Sequence, residues 1–138
     1  MKKFNIIIFI SLFVNVFSVF AQHTLTVEFI GLRNNKGKVH YELFDAKQKS
    51  IKSGSIDIIN SKAVIVIDNL KSAKYGLNFI HDENMNKKLD TKLIGIPKVG
   101  FGYSNNALVK FGPPPFEKWL FEVNTTTKII CKTKYLNF

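Results

Sequence analysis

The densest run of chemically capable side chains is His81-Asp82-Glu83-Asn84-Met85-Asn86-Lys87-Lys88-Leu89-Asp90. Counted from Asp82, oxygen-bearing side chains fall at the first, third, fifth and ninth positions: Asp82, Asn84, Asn86 and Asp90. Calcium takes about six to eight oxygen ligands, and a tight loop with acids or amides at those positions supplies most of such a shell, with a main-chain carbonyl at the seventh. The candidate metal set is therefore Asp82, Asn84, Asn86, the carbonyl of Lys88, and Asp90. Two positions depart from that pattern. Lys87 stands sixth, where a glycine normally makes the sharp turn, and Leu93 stands twelfth, where a bidentate glutamate would sit. With two formal negative charges and two lysines beside them, any calcium affinity is expected on the order of 0.1–1 mM. The same residues also read as an Asx-rich turn whose side chains accept from backbone N–H groups, and the two departures favour that turn.

Downstream, Gly95, Gly100 and Gly102 are set around Phe101 and Tyr103, followed by Ser104-Asn105-Asn106. Glycines allow backbone conformations closed to other residues, so this stretch could present two rings to a sugar or peptide. The candidate ligand-binding set is His81, Phe101, Tyr103 and Asn105. In the plainer reading, which we favour, the rings fold back to plug one end of the domain. No dinucleotide fingerprint is present, because the glycines neither follow a parallel strand nor open a helix.

Catalytic candidates are sparse. His40 belongs to the outward side of its segment. His81 continues the Tyr75, Leu77, Phe79 face and is expected at the edge of the core, donating to a loop carbonyl. The single cysteine, Cys131, falls on an inward face and reads as an inert small hydrophobe. There is no nucleophile elbow, zinc-protease helix or phosphate-cradling loop. Asp82, Glu83 and Asp90 contain a conceivable acid pair for glycoside cleavage, but they share one polar turn without an apolar pocket to raise a pKa.

These residues need a frame, and alternation supplies it. Leu25, Val27 and Phe29 alternate with polar residues, as do Val39, Tyr41 and Leu43 after an Asn34-Asn35-Lys36-Gly37 turn, which predicts a first hairpin. Ile56 and Ile58 mark a third strand, and Asn60-Ser61 a turn. Ala63-Val64-Ile65-Val66-Ile67 is apolar on both sides, as a central strand covered on both faces would be. Tyr75, Leu77 and Phe79 mark a fifth strand. Two more run through Trp119, Phe121 and Val123, and through Ile129, Cys131, Thr133 and Tyr135. One helical turn is expected at Phe116-Glu117-Lys118-Trp119. The segment from His81 to Pro115 shows no periodicity and reads as one long ordered loop, the kind of element that carries function. About seven strands with turns between them predict an all-β sandwich of two sheets, with a small barrel as the other option.

The chain has 138 residues, 46% apolar, with 20 Lys+Arg against 10 Asp+Glu. That apolar share excludes a disordered tail, and the length fits one domain. A basic start at Lys2-Lys3 leads into an apolar run from Phe4 to Phe20 that ends Val19-Phe20-Ala21. This reads as a signal peptide, residues 1–21, cleaved after Ala21, leaving 22–138 as the domain with no span of the membrane. Loss of Lys2 and Lys3 takes the formal charge from +10 to +8, which favours anionic partners. The lysines are scattered, and nucleic acid is not an expected partner.

The phrase His81-Asp82-Glu83-Asn84, with Asn86, Leu89-Asp90, Gly95-Ile96-Pro97, Gly100, Gly102-Tyr103-Ser104-Asn105-Asn106, Gly112-Pro113-Pro114 and Phe116, resembles the uncharacterised secreted bacterial proteins of domain-of-unknown-function family 2141. The resemblance runs from about Leu25 to Tyr135. It implies export and a single immunoglobulin-like or transthyretin-like sandwich, akin to carboxypeptidase-regulatory modules. The family pattern carries glycine where this chain has Lys87 and an acid where it has Val99. The expectation is a secreted or periplasmic, non-catalytic module that binds an envelope or extracellular ligand, such as an anionic glycan, through the 81–115 loop, with calcium as the metal that loop would take. The alternative is a secreted hydrolase acting on glycans through the loop carboxylates.

Overall fold

The computed structural model describes residues 20–90 and 97–136; the expected signal peptide, Phe20 and Ala21 apart, lies outside them, as does Gly95. Eight strands follow in order: β1 (Gln22–Ile30), β2 (Lys38–Asp45), β3 (Ser50–Asp57), β4 (Ala63–Lys71), β5 (Ala73–Asp82), β6 (Gly100–Tyr103), β7 (Phe121–Val123) and β8 (Thr127–Lys132). They form two sheets. The smaller has the order β4-β1-β8, with β8 parallel to β1; the larger runs β3-β2-β5-β6, with β7 also paired to β5.

The period of two in the sequence becomes the core. Leu25, Val27 and Phe29 of β1, Ile65 and Ile67 of β4, and Cys131 of β8 face Val39 and Leu43 of β2 and Leu77 and Phe79 of β5, all buried. The rings of Phe29 and Phe79 meet across the two layers at 4.7 Å between centroids. This is an all-β sandwich, as the alternation predicted. The strands and the main core cluster among the described residues lie between Gln22 and Lys132.

Four local expectations are corrected. First, β1 and β2 do not form a hairpin: they belong to different sheets, and Gly31–Gly37 crosses between the layers with Leu32 buried. Second, among the described residues β4 is an edge strand covered on one face only. Val64 and Val66 remain 49% and 57% exposed, because nothing among the described residues packs on the outer face of the smaller sheet. Third, the 81–115 segment is not one loop. It contains β6 and a 3-10 turn at Ser104–Asn106, and β6 pairs with β5 from Asn78↔Tyr103 to His81↔Gly100. Fourth, Gly100 and Gly102 do not serve positive backbone angles, which among the described glycines belong to Gly31, Gly37 and Gly112. They leave space instead: a Cβ on Gly102 would stand 2.6 Å from the Phe79 ring and 2.9 Å from the Lys132 carbonyl. β6 thereby closes against the chain leaving β8, joined through Phe101 N–H to Lys134 O at 3.0 Å and Lys134 N–H to Phe101 O at 2.8 Å.

Candidate functional site

Strand β5 delivers two adjacent ionisable residues to opposite sides of the larger sheet. Paired with Val39, His81 turns inward; Asp82, paired with Lys38, turns outward. Both are fully buried. His81 Nε2–H donates to the Lys36 carbonyl at 2.7 Å, and Nδ1 pairs with the Tyr135 hydroxyl at 2.7 Å. The Tyr135 hydroxyl also accepts from Arg33 N–H at 3.0 Å, with the Arg33 guanidinium 4.7 Å from the centre of its ring. Arg33 forks onto Glu83, its Nε 3.0 Å from Oε1 and its Nη2 on Oε2; Asn34 Nδ2 adds a third donor at 2.6 Å. The Arg33 hydrogen bond holds the Glu83 carboxyl below its ordinary range against the opposing effect of burial.

Asp82 fastens the next turn to the sheet. Its Oδ1 accepts from Asn86 N–H at 3.2 Å, and its Oδ2 from Lys87 N–H at 2.7 Å and from His40 Nε2 at 2.8 Å. Burial pushes the Asp82 carboxyl up, but the donors from Lys87, His40 and Asn86 together outweigh it and leave its pKa below the usual value. The turn takes left-handed backbone at Met85 (φ 61°) and Lys87 (φ 59°), so a lysine holds the conformation expected of glycine at that position. Asn84 Oδ1 accepts from Asn86 N–H at 3.3 Å and Asn86 Oδ1 from Lys88 N–H at 2.9 Å. Their Nδ2 groups both reach Asp90, at 2.8 and 2.9 Å. The spacing read from the sequence thus brings Asp82, Asn84, Asn86 and Asp90 into one knot, which Lys88 joins through its N–H. Among the described residues no cluster of three or more His, Cys, Asp or Glu side chains suits a metal ion.

The four ligand candidates are not gathered together. His81 is on the inner face, whereas Phe101 and Tyr103, opposite Ile80 and Asn78, take the outer one. Phe101 is buried; Tyr103 is half-buried with its ring 4.8 Å from Trp119, and burial raises its hydroxyl pKa. Asn105 is exposed (φ 57°) and donates to the Leu120 carbonyl at 2.6 Å. Phe44, Phe116 and Trp119 complete an aromatic cluster on the outer face, the Phe116 and Trp119 rings 4.8 Å apart. The expected turn at 116–119 is observed as a 3-10 turn over Phe116–Lys118.

His40 is the residue that strand alternation alone would leave in solvent. It bridges Asp82 on one side and the Ser55 hydroxyl on the other, Nδ1 to Oγ 2.5 Å. Ser, His and Asp in series suggest acyl transfer, but an oxyanion needs N–H donors on the nucleophile's face. Ser55 lies within β3, where main-chain N–H groups lie in the sheet plane. Beside it the outer face forms an open polar groove of about 390 Å³ lined by His40, Glu42, Ser53, Ser55, Asn78 and Lys87 among others, and the Glu42 carboxylate there opposes a developing negative charge. Cys131 is fully buried, its thiol pushed up to about 12 by burial.

Two sheets in face-to-face contact, with a β1/β8 parallel pair and a loop capped by a buried aspartate, define an all-β sandwich module. The chain belongs to the family described as an uncharacterised protein conserved in bacteria (DUF2141), which matches residues 27–130. No curated protein and no solved structure matches it.

Proposed function

We propose that the chain is an exported, non-catalytic module that binds an envelope or extracellular glycan, acidic in character, where the 82–90 loop meets the outer face of the larger sheet. One observation carries this reading: from a loop that Asp82 and His40 fasten to the sheet, Lys87 lines a groove that also holds Ser53, Ser55, Asn78 and one carboxylate, Glu42. The acidic group of the glycan is therefore assigned to the Lys87 side of the groove. Ser53, Ser55 and Asn78 offer donors and acceptors to sugar hydroxyls, and a domain charge of +8, after loss of Lys2 and Lys3 from +10, draws acidic chains. The N-terminal apolar run supports export. Among the described residues no helix is long and apolar enough to cross a membrane.

The hydrolase reading fares worse. A glycosidase acid needs a carboxyl pKa raised toward neutrality, whereas Asp82 and Glu83 are both held low by their hydrogen-bond donors. The test is a screen of sulfated and carboxylated glycans against the domain. Retention that falls with Lys87→Glu and Asn78→Ala supports the reading; no retention, or retention indifferent to both changes, refutes it.

Calcium is the cofactor we propose for the 82–90 loop, with Asp82, Asn84, Asn86, the Lys88 carbonyl and Asp90 as its ligands. Binding requires Asn84 and Asn86 to turn their oxygens toward the ion in place of the Nδ2 contacts with Asp90, consistent with weak affinity. Calcium at about ten times a dissociation constant near 1 mM adds about 1.4 kcal/mol, a rise of about 5 °C in melting midpoint for a domain of this size. An unchanged midpoint between chelator and about 10 mM calcium removes the metal from the proposal.

A further inference from the structure

At the other end of β5 from the Asp82 loop, the chain between the two 3-10 turns makes a prong. Leu108 is 70% exposed and Phe111 is as exposed as a free side chain, at 106%. Gly112 follows, with nothing within 4 Å of where its side chain would be, and then the stiff run Pro113-Pro114-Pro115. The base of the prong is pinned. Asn106 Oδ1 accepts from Lys132 N–H at 2.8 Å, Asn105 donates to Leu120, and Trp119 Nε1–H reaches the Pro114 carbonyl at 3.2 Å. The ends of the segment are therefore fixed, while Leu108 and Phe111 stay exposed to solvent.

Charge is arranged around it. Lys110 and Lys118 line a groove together with Leu108 and Phe111, and no carboxylate side chain does. Lys134 lies against the same base, its Nζ 3.5 Å from the Ala107 carbonyl, and exposed Lys132 is next to it. Glu117 is the nearest acid in sequence, beside Lys118.

We propose that this prong docks the domain on an anionic lipid surface, Leu108 and Phe111 entering the headgroup and acyl boundary while the flanking lysines meet lipid phosphates. Leu108 and Phe111 leave their apolar side chains in water beside two lysines, and a bilayer takes up such side chains without an enclosed pocket. Lysines at the rim keep their ammonium groups at headgroup level and attract acidic lipid. The inference goes beyond the glycan reading: it concerns another part of the outer surface and other residues, and it needs no calcium.

The experiment is cosedimentation of the protein recovered after export and processing by its host with vesicles, in chelator, using phosphatidylcholine alone and phosphatidylcholine mixed with phosphatidylglycerol. Binding is expected to the mixed vesicles and not to the neutral ones. Leu108→Ser/Phe111→Ser should weaken it by about tenfold or more with an unchanged melting midpoint, since both side chains are exposed. Lys110→Gln/Lys118→Gln should also weaken it by about tenfold. Asn78→Ala, which tests the glycan groove, should leave vesicle binding unchanged, so the two proposals fail separately. No binding to the mixed vesicles overturns the inference, as does equal binding to neutral vesicles or by the Leu108/Phe111 variant.

Discussion

Replacing Asp82 with alanine removes the carboxylate on which both the loop and His40 are fastened. Three donors lose their acceptor: the N–H groups of Asn86 and Lys87, and His40 Nε2. Charge-assisted hydrogen bonds are worth about 1.5–3 kcal/mol each, and a buried donor left unpaired adds its desolvation cost. Asn86 and Lys87 are exposed residues, so water recovers part of the loss at their N–H groups, and the expected destabilisation is about 3 kcal/mol. For a domain of this size that lowers the melting midpoint by about 12 °C. Urea unfolding of the wild type, Asp82→Ala, His40→Ala and the double variant gives the value, and the coupling between the two residues should be about 1 kcal/mol or more. The pH dependence follows from the same geometry. Since the folded carboxyl titrates below its ordinary value, its contribution is full above about pH 4 and is lost as pH falls from there through the folded pKa. Glu83, held low by Arg33, acts in the same direction. A loss under about 1 kcal/mol, the range of an ordinary surface change, would refute the claim that Asp82 holds the loop.

Gly37 has φ 69°, and a Cβ there would stand 1.8 Å from the Asp82 carbonyl oxygen; Gly37→Ala should cost more than about 3 kcal/mol in urea unfolding. Trp119 is 5% exposed within the outer-face aromatic cluster, so Trp119→Ala should cost about 3 kcal/mol, read from the denaturation midpoint. The Cys131 thiol, buried and pushed up to about 12, should resist a thiol reagent at pH 8 in the folded protein and react fully in denaturant.

Much of the frame was legible in the sequence because alternation reports which side a residue faces. It placed Leu25, Val27, Phe29, Leu77 and Phe79 in the core, and the Asn60-Ser61 pair, both at positive φ, at a turn. Alternation does not report which sheet a strand joins, so β1 and β2 read as a hairpin. Nor does it show a missing neighbour, and β4 looked doubly covered when nothing among the described residues covers its outer face. β6 escaped because Gly-Phe-Gly-Tyr is four residues long and half glycine, too short and too plain for a periodic signal. Of the candidate site, the local part was readable: Asp82, Asn84, Asn86 and Asp90 lie within nine residues and meet through one turn. His40 and Ser55 were not, since their link to Asp82 depends on strands 42 and 15 residues apart being aligned. Outward direction alone marked His40 as a solvent residue, when it faces a carboxylate that the loop buries.

The 82–90 loop is a fixed part of the sandwich, fastened by Asp82 from the sheet beneath it. Amide hydrogen exchange at Asn86 and Lys87 tests this most directly, because their N–H groups donate to Asp82 although both residues are exposed. Protection approaching that of β5, lost in Asp82→Ala, is the predicted result. Exchange at free-peptide rates in the wild type would contradict it.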